Sequence, residues 1–176
     1  MKFATSLLTL TLASTAWTEP IPLLKRSLAQ YQAVFSAIDA QVAVVGTSVA
    51  SYTGGTIPGT AVQTESEELV AIINSGAASI ATYAALNTLD ALSLVAPIQA
   101  LTVDVGDVID AIIAAKPDFD GDGLSGDVLA NLNDQRDATE ALRDAITPKV
   151  PTALQGIAAD LADGIVAEID RGIAAY

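Results

Sequence analysis

The chain of 176 residues contains no cysteine and no histidine. Without cysteine it forms neither a disulfide nor a zinc–thiolate site. Without histidine it lacks the commonest general base and the commonest metal ligand, and no Ser-His-Asp or Cys-His device can be assembled. Catalysis would fall to carboxylates, lysine or tyrosine alone, so no catalytic residues, no cofactor and no metal are expected. Aromatics are scarce at 5%, and 8 basic residues face 21 acidic ones, a net charge of −13. Such a surface repels phosphate backbones and anionic membranes, so no nucleic-acid partner is expected.

What is present is apolar. Hydrophobic residues make up 51% of the chain, much of it alanine and valine, which is not the profile of a disordered acidic segment. The combination predicts closely packed helices with acidic outer faces. The N-terminus reads as an export signal: Lys2, an uncharged run from Phe3 to Ala13, then the small residues Ser14-Thr15-Ala16. The run is too short for a membrane span. The expected organisation is a signal peptide over 1–16, a propeptide over 17–26 ending at the dibasic Lys25-Arg26, and a helical domain over 27–176. The alternative for Lys25-Arg26 is a basic turn at the edge of the first helix. Removing residues 1–26 takes away three basic residues and one acidic one, so the net charge moves from −13 to −15.

Apolar residues recur in alternating steps of four and three from Leu24 through Leu28, Tyr31, Phe35, Ile38, Val42, Val45 and Val49 to Tyr52, the mark of one helical stripe. Gly54-Gly55 and Pro58-Gly59 predict a loop. Thr64 and Glu67 have the spacing of a capping box for a second helix, with its stripe at Leu69, Ile72, Gly76, Ile80 and Tyr83. The next boundary is open, at Asn87-Thr88 or at Pro97, and a third stripe follows through Val95, Ile98, Leu101, Val105, Val108 and Ile112. Pro117 is expected to close that helix and Ser125 to cap a fourth. The fifth runs from Leu154 to Tyr176. The expected fold is all-α, a single-domain bundle of five amphipathic helices.

"PDFDGDGLSGDVL", from Pro117 to Leu129, imitates the first half of an EF-hand. Counting from Asp118, position twelve is Leu129, where a bidentate carboxylate is required. A solvated turn is expected instead. Gln135 and Thr139 interrupt the fourth stripe. Either they are peripheral or bond neighbouring backbone, or they face a cavity and anchor the polar head of a ligand. Tyr31, Phe35 and Tyr83, among the few aromatics, would line such a cavity beside Ile38, Val42 and Ile80.

The segments Ser27–Val42, Pro117–Leu132 and Val150–Tyr176 together resemble the fungal hydrophobic surface binding protein A family, which includes cell-wall galactomannoproteins. The resemblance lies in helix order, alanine-rich composition, the Val-Pro entry to the last helix and the aromatic end. It implies a secreted, non-catalytic helical protein that binds fatty acids or hydrophobic surfaces through an apolar cavity between helices, with a secreted hydrolase as a further partner. The C-terminal "DRGIAAY" carries no GPI signal, so free secretion is expected over wall anchoring. A structural wall or host-interaction protein with a closed core is the alternative.

Overall fold

The structure, a computed structural model, describes residues 23–176. The expected signal peptide lies outside these residues. The expected propeptide overlaps them only at its last four, and Lys25 and Arg26 stand in the first turn of the first helix.

Among the described residues the fold is all-α, and no strand occurs. Five long helices carry it: α1 (Leu23–Ala50), α2 (Thr56–Thr82), α4 (Val95–Ala114), α6 (Ser125–Ile146) and α7 (Gln155–Ala175). Two six-residue helices accompany them: α3 (Thr88–Ser93) starts at one of the two boundaries left open, and α5 (Lys116–Gly121) sits in a segment expected to be a connection. Single 3₁₀ turns at Thr147–Lys149 and Thr152–Leu154 join α6 to α7. Helix α1 packs against α2 and α4, α2 also against α6, α6 against α7, and α7 against α4. The five long helices therefore close a ring. Helices α1, α4 and α7 run one way along it and α2 and α6 the other. Ser27–Ala50 and Thr88–Ala114 are long and apolar enough to cross a membrane; here α1 and α4 turn their stripes into the ring.

Several helix ends differ from expectation, each for a local reason. The loop after α1 is only 51–55, because Gly54 and Gly55 take positive φ values of 89° and 108° and reverse the chain within it. Helix α2 then starts at Thr56, with Pro58 in its first turn, where a missing N–H costs nothing. The Thr64 hydroxyl caps no helix end; it donates to the carbonyl of Thr60 inside α2. Both candidate breaks before α4 are used: Asn87 caps α3, accepting from the Asp90 amide at 2.9 Å, and Pro97 lies in the first turn of α4. Pro117 opens α5 instead of only closing α4, and Ser125 is the first residue of α6, not its cap.

The core follows the predicted stripes. Tyr31, Phe35, Ile38, Val42, Val45 and Val49 of α1 are all buried, as are Leu101 and Ile112 of α4 and Ile165 and Ile169 of α7; in α4 Ile109, not the expected Val108, is the buried residue between Leu101 and Ile112. Each such aliphatic side chain contributes roughly 1.5–3 kcal/mol. In α2 Leu69, Gly76 and Ile80 are buried as expected, but one position differs: Ile73 is buried, while Ile72 faces the outer groove between α1 and α2. Gly76 lets those helices approach closely, since a Cβ there would lie 2.6 Å from Cγ1 of Val34.

Candidate functional site

At the centre of the ring the five long helices converge on one cavity. Helix α1 contributes Ile38 and Val42, α2 Leu69 and Ile73, α4 Leu101 and Val105, and α7 Ile165 and Ile169. Helix α6 contributes Leu142 and two polar residues, Gln135 and Thr139. The free space is about 30 Å³, room for little more than a water molecule.

Gln135 and Thr139 are buried at 7% and 5% exposure, so neither is peripheral. They differ in hydrogen bonding. The Thr139 hydroxyl donates to the Gln135 carbonyl at 2.7 Å, satisfying its donor within its own helix. The Gln135 amide makes no hydrogen bond among the described residues. The amide carries two donors and an acceptor, and its atoms are not fully enclosed, so they open onto the free space of the cavity. This side chain is therefore the group in the cavity best able to hold a polar atom of a guest.

Of the eight residues singled out from the sequence, the structure brings four together in this cavity: Ile38, Val42, Gln135 and Thr139. The other four lie elsewhere. Phe35 lines the groove between α1 and α4, beside Pro97 and Asp104. In that groove Asp104 is held above the usual carboxylate range by desolvation first, then by a hydrogen bond and repulsion from Asp39. Ile80 is fully buried in the core. Tyr31 and Tyr83 meet edge to face at 5.4 Å near the end of α2, where the Tyr31 hydroxyl donates to the carbonyl of Ala84 at 3.0 Å. Burial there, with Tyr83 adding repulsion, pushes the Tyr31 phenol up to about 12. The remaining cavity residues were visible as stripe positions, except Ile73, which the choice of Ile72 displaced.

The Asp-rich segment is not an open loop. Residues Lys116–Gly121 are helical, and two of the carboxylates, those of Asp120 and Asp122, accept from protein donors. Asp120 accepts from the Ser125 hydroxyl and from Lys116 at 2.9 Å, and both hydrogen bonds hold its carboxyl below the usual range. Asp122 accepts from the Tyr52 hydroxyl and the Gly55 amide, with the same effect on its carboxyl. Tyr52 stacks on Phe119 at 4.3 Å, and burial, then the Asp122 contact, pushes its phenol up to about 12. The expected solvated turn is thus a staple between the α1–α2 loop and α5. Among the described residues no three Asp or Glu side chains converge as a metal site would require.

The family model for hydrophobic surface binding protein A matches residues 28–148. The chain is 41% identical over its full length to cell wall mannoprotein 1 of Aspergillus fumigatus and spans 60% of that relative. Its structure resembles ligand binding domain 2 of the Penicillium marneffei MP1 protein, complexed with multiple arachidonic acids, at a TM-score of 0.81 and 30% identity. That match covers 86% of this chain and 97% of the other. AFMP4P in complex with palmitic acid matches at a TM-score of 0.80 and 25% identity, covering 84% and 98%. Helix order, the five-helix ring and the family match agree, and the chain belongs to the hydrophobic surface binding protein A family.

Proposed function

We propose that this protein is a secreted, non-catalytic carrier of long-chain fatty acids, taking the acyl tail into the cavity between its five long helices. The observation that carries the proposal is the convergence of all five helices on one apolar space that holds a single unpaired amide, Gln135. Relatives crystallised with arachidonic and palmitic acids support the choice of ligand class. Ile38, Val42, Ile73, Leu101 and Ile165 would take the tail, and Gln135 a polar atom of the head. The excess of acidic residues opposes general attraction of a carboxylate, so burial of the tail supplies most of the affinity.

Ligand pockets ordinarily hold about 300 Å³ or more, so the ring must part around a guest. The present free space, about 30 Å³, favours the alternative of a closed core without ligand, and one experiment separates the two. Titration with saturated fatty acids of increasing length should show affinity rising by up to about fourfold per methylene. Lipid extraction of the secreted protein should recover a fatty acid. Absence of binding at every length would leave the closed-core alternative.

A further inference from the structure

The central cavity is lined mostly by buried side chains and holds only about 30 Å³ of free space, so the function proposed above requires a route into it. A second apolar cavity lies against the same helices. It is lined by Ile98 of α4, Ile146 of α6 and Leu161 of α7, with Leu92 and Leu94 from the α3 segment and Ile157 near the start of α7. These positions are in register with the central cavity. Ile98 precedes Leu101 by three residues, Ile146 follows Leu142 by four, and Leu161 precedes Ile165 by four. On all three helices the step is about one turn, roughly 5.4 Å. The two cavities therefore lie one above the other along α4, α6 and α7. From Ile157 to Ile169 the two together follow about 18 Å of α7.

The outer chamber ends in exposed apolar side chains. Five large hydrophobic residues are exposed among the described residues: Leu92 at 48% and Ile157 at 47% line this chamber, and Leu89 at 74% lies one turn before Leu92 on α3. Its cover is α3, six residues long, too short to be stable by itself. The side-chain hydrogen bonds of α3 are internal: Asn87 with Asp90, and Ser93 with the Leu89 carbonyl. Beside it the Leu86 amide donates to the Lys149 carbonyl at 2.8 Å, which marks a hinge point before α3. The opposite end of the ring is closed by the Tyr52–Phe119 stack, the Asp122 contacts and the Tyr176 hydroxyl on the Ile112 carbonyl. Its cavity includes polar Gln63, Ser66, Asp127 and Asn131, unlike the chamber under α3.

We propose that the α3 end of the bundle is the entrance for the ligand, with the acyl chain seating first under Leu92 and then sliding into the central cavity as α3 swings aside. This rests on the fatty-acid reading above. The test is the rate of palmitate uptake by the full chain, measured by stopped flow. Because the chain has no cysteine, the double variant Leu92→Cys/Ile157→Cys can be closed with a short bis-maleimide and compared with its uncrosslinked form. Closure should slow uptake by about tenfold or more, as pinning a lid does. Leu92→Glu, at an exposed position, should also slow uptake several-fold, while Val103→Glu, on the outer face of α4 away from the chamber, should not. Uptake at the wild-type rate in both the crosslinked protein and Leu92→Glu overturns the entrance and leaves fatty-acid binding standing. No uptake by the wild-type protein overturns the fatty-acid reading, and the entrance with it.

Discussion

The two ends of the ring are built from opposite materials. At one end the Tyr52–Phe119 stack and the Asp122 carboxylate lock α5 to the α1–α2 loop, and Asp120 ties α5 to the start of α6. At the other, Lys149 donates to the carbonyls of Ala81 and Tyr83 and secures one side, while α3 and the start of α7 face one chamber with apolar side chains. Hydrogen bonds and stacked rings are directional and lose most of their energy when displaced. Apolar contacts are not directional and re-form around a different occupant. One end thus joins the helices by directional contacts, while the other joins them by contacts that tolerate displacement.

The comparison breaks most readily at the locked end. Phe119 is 1% exposed and stacks on Tyr52, so Phe119→Ala should cost about 3–5 kcal/mol in denaturant unfolding. If the loss is instead below 1 kcal/mol, which is roughly what a surface change costs, the end is no lock. Tyr52→Phe should cost less and carry a pH signature. Asp122, held low by Tyr52 and then by Gly55, adds stability above the usual carboxylate range and loses it as pH falls through its lowered value. Tyr52, raised to about 12, adds stability below its ordinary 10.0 and loses it as pH rises through the raised value. Thermal melts should therefore show a constant deficit for Tyr52→Phe from just above the carboxylate range up to pH 10.0, narrowing on either side.

At the looser end, Lys149→Met removes two hydrogen bonds to backbone carbonyls and should cost about 1 kcal/mol. A larger loss than that of Phe119→Ala would reverse the ranking of the ends. The smallest effect is expected midway, in the groove between α1 and α4. Asp104 is raised by desolvation and by Asp39, so its ionisation costs stability as pH rises through the raised value. Asp104→Asn should melt slightly higher than wild type at neutral pH and equally below the carboxylate range. A gain that persists in acid would mean the groove is strained by packing, not charge.

The course of each long helix could be read from spacing, because a stripe repeating every three to four residues has one way to face a core. Where two apolar residues stand side by side, as Ile72 and Ile73 do, spacing does not choose, and the packing of α2 against α1 and α6 selected Ile73. The extent of the short helices was not legible for a related reason, although Asn87-Thr88 stood out as one possible helix start. Six residues such as Thr88–Ser93 hold less than two turns and show no repeat. The Asp-rich segment could be recognised as no EF-hand from Leu129 alone, yet its partners Tyr52 and Gly55 are more than sixty residues away in the chain.

By itself the sequence determined the class of the protein: no histidine or cysteine chemistry, strong negative charge, and amphipathic helices with alanine- and valine-rich faces. Composition and periodicity are local properties, and they are complete before the chain folds. The tertiary structure decided which stripe residues share a space. Phe35 and Ile38 stand three residues apart on one stripe, yet Phe35 faces the outer α1–α4 groove and Ile38 the central cavity. A helix in a ring touches two neighbours and a centre at once, so its apolar face divides among three surroundings. Only the closure of the ring settles that division.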